Sequence, residues 1–151
     1  MKNFLSALFI LTLFISCTKD NNSIVDYTAK NEQEIKDYIA KNNLTAQRSN
    51  TGLYYIITEP GTGTQPTASS NVTVAYKGYF TNGTVFDQSS AGIKIGLNQV
   101  IKGWTEGIPY FKTGGSGMLL VPAHLGYGSY NYNGIPGGSV LIFDVKLITV
   151  N

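Results

Sequence analysis

Four stretches of the chain alternate apolar and polar residues with a period of two, and they constrain the fold more than any other feature. They are residues 53–58, 72–81, 117–121 and 139–150, and all are rich in β-branched and aromatic side chains. Alternation of this kind is typical of strands that place one face on a core, and such strands mostly pair antiparallel. The sequence therefore predicts an antiparallel sheet over the last hundred residues.

The last of these stretches indicates which face of the sheet is buried. Its alternate residues from Leu141 to Leu147 are all apolar, whereas Asp144 and Lys146 occupy the opposite face. We expect the apolar face to meet the core and the other face to carry these charges.

A helix is predicted ahead of the sheet, between Asn31 and Asn43. Asn31 can cap its first turn, with Glu34 three residues further on. Its apolar residues follow the spacing of one helical face, at Ile35, Tyr38 and Ile39. We expect this face to pack on the domain or on a second copy of the chain.

Three local signals lie within the sheet region. Asn82-Gly83 predicts a tight hairpin that leads into a strand at Val85. Residues 101–110 predict one short helix, with apolar residues on one side and a length limited by proline. The long glycine- and tyrosine-rich loop 122–138 is of the kind that is usually functional in a compact domain.

Composition and charge exclude several classes of function. A net charge of +2 without a basic stripe gives no footprint for nucleic acid. Cys17 is the one cysteine, so no internal disulfide can form, and the one histidine, His124, has no ligand-spaced cluster around it. We expect no metal and no cofactor. No serine lies in the sequence context of a catalytic triad.

The first residues predict an export signal, with Lys2 ahead of an apolar run over 4–15. That run is too short to cross a membrane as a helix. The following residues, Phe-Ile-Ser-Cys at 14–17, resemble a bacterial lipobox. The resemblance implies that Cys17 is acylated, so that the protein is anchored to a membrane of the bacterial cell envelope, facing the periplasm or the exterior. A plain signal peptide with an incidental cysteine is the alternative.

These signals divide the chain into four parts. We predict a signal peptide at 1–16, a lipid anchor and tether at 17–29, a helix and linker at 30–49, and one folded domain at 50–151.

Five short motifs resemble, in order and spacing, the FKBP-type peptidyl-prolyl cis-trans isomerases over about residues 50–150. They are VAYKG at 74–78, NGTVFD at 82–87, QVIKGWTEG at 99–107, LGYG at 125–128 and LIFDV at 141–145. The resemblance implies an α+β fold, in which an antiparallel half-barrel of five to six strands wraps around one short helix. Here an N-terminal helix would precede it. The implied activity is cis-trans isomerisation of X-Pro bonds.

The resemblance also implies a proline pocket. Its catalytic positions would be Tyr76, Asp87, Ile101 and Tyr127. Its walls and floor would be Phe86, Ile93, Val100, Trp104, Ile135 and Phe143. The Ile101 backbone N–H and the Tyr127 hydroxyl would hold substrate carbonyls. Asp87 would offer a polar contact near the twisting bond or serve as a buried structural carboxylate. Tyr130 and Tyr132 would either extend the rim or cover the sheet.

The implied partners are proline-containing polypeptides of exported proteins, with macrolides of the rapamycin class as expected inhibitors. The membrane would be a further partner through Cys17. An alternative is a proline-segment binding module or chaperone with little turnover, favoured by an open loop expected at 88–92. A scaffold that pairs through the 31–43 helix is a further interpretation.

Overall fold

The computed structural model describes residues 25–151, and their six strands form one antiparallel sheet in the order β1-β2-β5-β6-β3-β4. The strands are β1 (Gln47–Arg48), β2 (Tyr54–Glu59), β3 (Asn71–Phe80), β4 (Val85–Gly96), β5 (Ser116–Val121) and β6 (Leu141–Val150). The helices are α1 (Thr28–Lys41) and α2 (Lys102–Gly107). The predicted antiparallel sheet with one short helix and a helix ahead of it is confirmed. Its four alternating stretches are β2, β3, β5 and β6.

The expectation of an open loop at 88–92 is wrong, because β4 runs through that segment. β4 pairs with β3 along its length, and the pairing shifts between Tyr76↔Ser89 and Val74↔Ile93. Three residues of β4 therefore lie opposite Ala75 alone, which makes a bulge. The residues around this bulge do not alternate in polarity, so the sequence pattern predicted only the start of the strand.

The inner face of the sheet carries the larger core, and α2 lies against it. Two glycines of α2 allow a close approach to β5. A Cβ on Gly103 would lie 2.5 Å from the Val121 side chain, and one on Gly107 would lie 2.7 Å from Leu119. This close approach fixes the height of α2, and of Trp104 between those glycines, above the sheet.

The outer face of the sheet carries a second, smaller core, because α1 packs across it. Ile35 of α1 is fully buried together with Leu120 and Ile142, while Tyr38 and Ile39 pack at the margin. The outer face carries Asp144 and Lys146 as expected, and it also carries the buried Ile142, which the sequence did not indicate. The apolar stripe of α1 is used within the chain, so a scaffold that pairs through Ile35 has no support in this fold.

The start of α1 and the nature of the linker also differ from expectation. The helix begins at Thr28, and Asn31 is a fully buried residue of its second turn instead of a cap. Residues 47–48 pair with β2 as a short edge strand, so the predicted linker adds to the sheet. The signal peptide, Cys17 and most of the tether lie outside the described residues. Among residues 25–151, no helix is both long and apolar enough to cross a membrane.

Candidate active site

A cavity of about 450 Å³ opens between α2, the inner face of β3, β4 and β6, and the 122–138 loop. Its lining residues are Tyr76, Phe86, Asp87, Ile93, Ile95, Gln99, Val100, Ile101, Trp104, Tyr127, Tyr132 and Phe143. These residues are distant from one another in sequence. Most of them lie on strands of the sheet or on α2.

A bulge in β4 brings Phe86 and Asp87 to the same cavity. Successive residues of a regular strand point to opposite faces. Here the pairs Gly78↔Asp87 and Tyr79↔Val85 leave Phe86 without an opposite residue. The extra residue re-aims its side chain, so that both neighbours line the cavity.

The Phe86 ring lies directly over Gly78. A Cβ at Gly78 would be 2.7 Å from two carbons of that ring and 3.0 Å from the Phe143 ring. No side chain larger than hydrogen fits there without moving the ring. The lack of a side chain at Gly78 thus allows the Phe86 ring to pack directly on β3.

The aromatic rings of the cavity contact one another in sequence, mostly edge to face. Centroid separations are 5.6 Å for Phe86 and Phe143, 5.3 Å for Phe143 and Trp104, and 5.0 Å for Trp104 and Tyr76. Such pairs contribute about 0.5–1.5 kcal/mol each beyond the burial of their area. The rings therefore support each other as one rigid apolar lining.

Trp104 forms the floor and is only 4% exposed. Its indole N–H has no hydrogen-bond partner among the described residues. A buried N–H usually has a partner, because leaving it without one costs roughly 1–3 kcal/mol. The indole is thus held by its ring contacts rather than by a polar bond.

Asp87 is the one carboxylate on the cavity wall. The Tyr76 hydroxyl donates a hydrogen bond of 2.6 Å to its Oδ2. Asp87 is solvent-exposed, so the interpretation as a buried structural carboxylate is wrong. Burial raises the pKa of Tyr76, and the bond to Asp87 and its charge raise it further. Tyr76 consequently stays a neutral donor, aimed at Asp87. Within residues 25–151, no group of three or more His, Cys, Asp or Glu side chains is placed to bind a metal.

Two further residues of the lining carry hydrogen-bond donors, Tyr127 and Ile101. Tyr127 stacks on Tyr132 with ring centroids 4.8 Å apart, and its hydroxyl has no hydrogen-bond partner within residues 25–151. Burial, followed by Tyr132 and Asp87, raises the pKa of Tyr127, so the hydroxyl remains protonated. Ile101 precedes α2, and its carbonyl accepts the amides of Trp104 and Thr105, while no acceptor inside the described chain takes its own N–H.

All the pocket residues expected from the sequence line this cavity except Ile135. Ile135 is 7% exposed and belongs to the inner core below the loop, where it anchors the loop and does not reach the cavity. The sequence did not indicate Ile95 or Gln99. Alternation with Ile93 would have found Ile95. Tyr132 lies at the rim, whereas Tyr130 is 68% exposed and outside the lining.

A sequence model of the family described as FKBP-type peptidyl-prolyl cis-trans isomerase matches residues 62–148, a span that contains every residue of the cavity lining. The chain belongs to the FKBP family. The matched span contains β3, β4, β5, α2 and most of β6.

Individual FKBP proteins agree with this assignment. The isomerase FkpA of Buchnera aphidicola, subspecies Schizaphis graminum, is 44% identical over 107 residues, which are 68% of this chain and 42% of that protein. The crystal structure of FkpA from Escherichia coli matches with a TM-score of 0.74 and 40% identity, over 82% of this chain and 61% of that one. A peptidyl-prolyl cis-trans isomerase from Pseudomonas syringae matches with a TM-score of 0.72 and 28% identity, over 86% and 99%.

The chain spans less than half the length of curated relatives such as the Buchnera protein.

Proposed function

We propose that this protein catalyses cis-trans isomerisation of X-Pro peptide bonds in polypeptides. The observation that carries the proposal is the cavity itself, which combines a continuous aromatic lining with one carboxylate and free donors at its rim. The lining contains no Ser, Thr, Cys, Lys or His side chain, and the reaction requires no nucleophile.

The chemistry follows from amide resonance. Rotation about an X-Pro bond is slow because planarity is stabilised by resonance, with a barrier of about 20 kcal/mol. Resonance also makes the planar amide polar. A dry aromatic cavity favours the less polar twisted amide, so binding energy is realised in the transition state. A rate increase of about 1000-fold needs only ~4 kcal/mol.

Individual residues have separate roles in this proposal. The proline ring would lie on Trp104, between Phe86 and Phe143. The Ile101 N–H and the Tyr127 hydroxyl would each hold a substrate carbonyl, which leaves the prolyl bond between two fixed points. Asp87, oriented by Tyr76, would offer a polar contact beside the twisting bond.

The test is an isomerisation assay on short X-Pro peptides, with the full chain kept in detergent. We expect turnover in the wild type and a loss of at least tenfold for Phe86→Ala. Ile142→Val on the outer face of the sheet is the matched control and should retain activity. A wild-type protein that is folded by circular dichroism but inactive would refute the proposal.

The second candidate function is binding of proline-containing segments with little turnover. The loop expected at 88–92 no longer favours it, but the exposed tyrosines at the rim do. Tyr127, Tyr130 and Tyr132 are 38%, 68% and 51% exposed, which offers a surface for an extended chain beyond the proline. Titration with a macrolide of the rapamycin class separates the two candidates, because tight binding without isomerisation selects the binding module.

We also propose that the protein is a lipoprotein of the bacterial cell envelope, facing periplasm or exterior, anchored through acylated Cys17. The motif at 14–17 and the apolar run ahead of it support the proposal. Acyl chains contribute roughly 0.8 kcal/mol per buried methylene, so more than one holds a domain firmly on a membrane. A Cys17→Ala protein should leave the membrane fraction. Its retention there would count against acylation.

A further inference from the structure

One side chain of α1 ties together both ends of the loop that carries Tyr127. The Asn31 amide donates from Nδ2 to the carbonyl oxygen of Gly138 at 2.9 Å. Its Oδ1 accepts the backbone N–H of Ala123 at 2.8 Å. These two partners lie at opposite ends of the 122–138 loop.

The two residues held by Asn31 in turn hold the peptide next to Tyr127. The Gly128 N–H donates to the carbonyl of Ala123 at 2.8 Å, and the Gly128 carbonyl accepts the N–H of Gly138 at 2.9 Å. Gly128 is thus bonded on both sides to the pair that Asn31 ties. A continuous set of four hydrogen bonds connects α1 to the backbone beside Tyr127.

The type of residue at this position agrees with such a role. Asparagine is a poor residue for a helix interior, and a buried amide needs partners for both its donor and its acceptor. Asn31 is 0% exposed and is the single buried polar residue among residues 25–151. An apolar residue could pack at this position without hydrogen-bond partners. The role of the amide is therefore to make its two hydrogen bonds to the loop.

Other contacts attach the same loop to the residues just ahead of α1. The Ser129 hydroxyl donates to the Val25 carbonyl at 2.8 Å. The Tyr27 ring lies so close to Gly138 that a Cβ would overlap it. The segment outside the FKBP family match therefore supports the loop at several points.

We propose that Asn31 is a positioning residue of the isomerase site, through which α1 fixes Tyr127 and its stacked partner Tyr132 at the cavity rim. The inference rests on the proposed function for its effect on activity. It assigns α1 a part in the reaction although α1 contributes no residue to the cavity.

The test compares Asn31→Leu with Ile35→Ala in the full chain. Both variants remove an interaction from the buried face of α1, but only Asn31→Leu removes the hydrogen bonds to Ala123 and Gly138. We expect Asn31→Leu to lower kcat/KM at least tenfold at a temperature where it is folded, and Ile35→Ala to keep wild-type kinetics despite a lower Tm. Amide hydrogen exchange at Gly128 and Gly138 should accelerate about tenfold or more in Asn31→Leu alone. Asn31→Ser, whose hydroxyl is too short to reach both partners, gives the same comparison if the leucine variant does not fold.

A double variant separates positioning from general destabilisation. Where Tyr127→Phe has already removed the hydroxyl, Asn31→Leu should lower kcat/KM by a smaller factor than in the wild type. Equal factors, or wild-type kinetics with slow exchange at Gly128 in Asn31→Leu, would overturn the inference. If the wild type has no isomerase activity, the exchange rates at Gly128 still decide whether Asn31 positions the loop.

Discussion

Replacing Gly78 by alanine should displace the Phe86 ring, which forms one wall of the cavity. The new Cβ would lie 2.7 Å from the Phe86 ring, whereas carbon atoms pack at about 3.5–4.0 Å. The ring must therefore move by about 0.8 Å or more, and the Phe143 ring, at 3.0 Å from the same Cβ, is also too close. Gly78 does not have a positive φ, so the change adds no backbone strain.

The expected effect on stability is moderate. Overpacking of a core costs about 1–3 kcal/mol, and the loss of glycine freedom in the unfolded chain offsets about 0.4–1 kcal/mol. The net loss should be about 1–2 kcal/mol. Chemical denaturation measures it as a lower midpoint with an unchanged slope.

The expected effect on activity is larger. A displacement near 1 Å in a site can lower the rate about 100-fold, so kcat/KM on an X-Pro peptide should fall about 10- to 100-fold. Ile142→Val is the matched control, because it loses about 0.5–1.5 kcal/mol at a buried site away from the cavity. Combining Gly78→Ala with Phe86→Leu should reduce the stability loss caused by the alanine, since the clashing ring is absent. Wild-type kcat/KM in Gly78→Ala would refute the reasoning.

Three further predictions concern hydroxyls and the floor of the cavity. Tyr127→Phe should lower kcat/KM about tenfold, the value of one hydrogen bond, while Tm hardly changes because the hydroxyl has no partner within residues 25–151; unchanged kinetics would contradict its role. The pKa values of Tyr76 and Tyr127 are raised above the ordinary value of 10.0. Activity and stability should therefore be constant between about pH 6 and 9 and fall only as the pH rises above about 10. A titration midpoint near pH 7 would contradict this prediction. Trp104 is the one tryptophan of the chain. Binding of a macrolide or a proline peptide in the cavity should therefore change the tryptophan fluorescence emission, and Trp104→Phe should abolish that signal. An unaltered emission at saturating ligand would show that the ligand binds elsewhere.

Much of the fold and of the cavity could be predicted because their signals are local. Strict alternation places Phe143 on the inner face of β6, and the spacing of Ile101 and Trp104 predicts α2. The site residues were then implied by motifs in order along the chain, and all but Ile135 line the cavity. Ile135 was misplaced because a residue in a long loop carries no periodicity that distinguishes a core anchor from a lining residue.

The remaining features depend on pairing between distant segments. The bulge at Phe86 is a property of the register between β3 and β4, and no pattern within β4 alone encodes it. Asn31 resembled a helix cap because a cap and a buried helix amide use the same residue type. Only its contacts 92 and 107 residues away distinguish the two.

The bulge opposite Ala75 lies at a free edge, because β4 is an edge strand of the sheet. A free edge strand can pair with an extended segment of another chain, and such pairing can lead to aggregation. Uneven register interrupts the regular row of amide and carbonyl groups that such a segment would need, and the exposed Lys94 adds charge to the same edge. Under the proposed function, a polypeptide substrate would then bind through the side-chain cavity without adding a strand to the sheet.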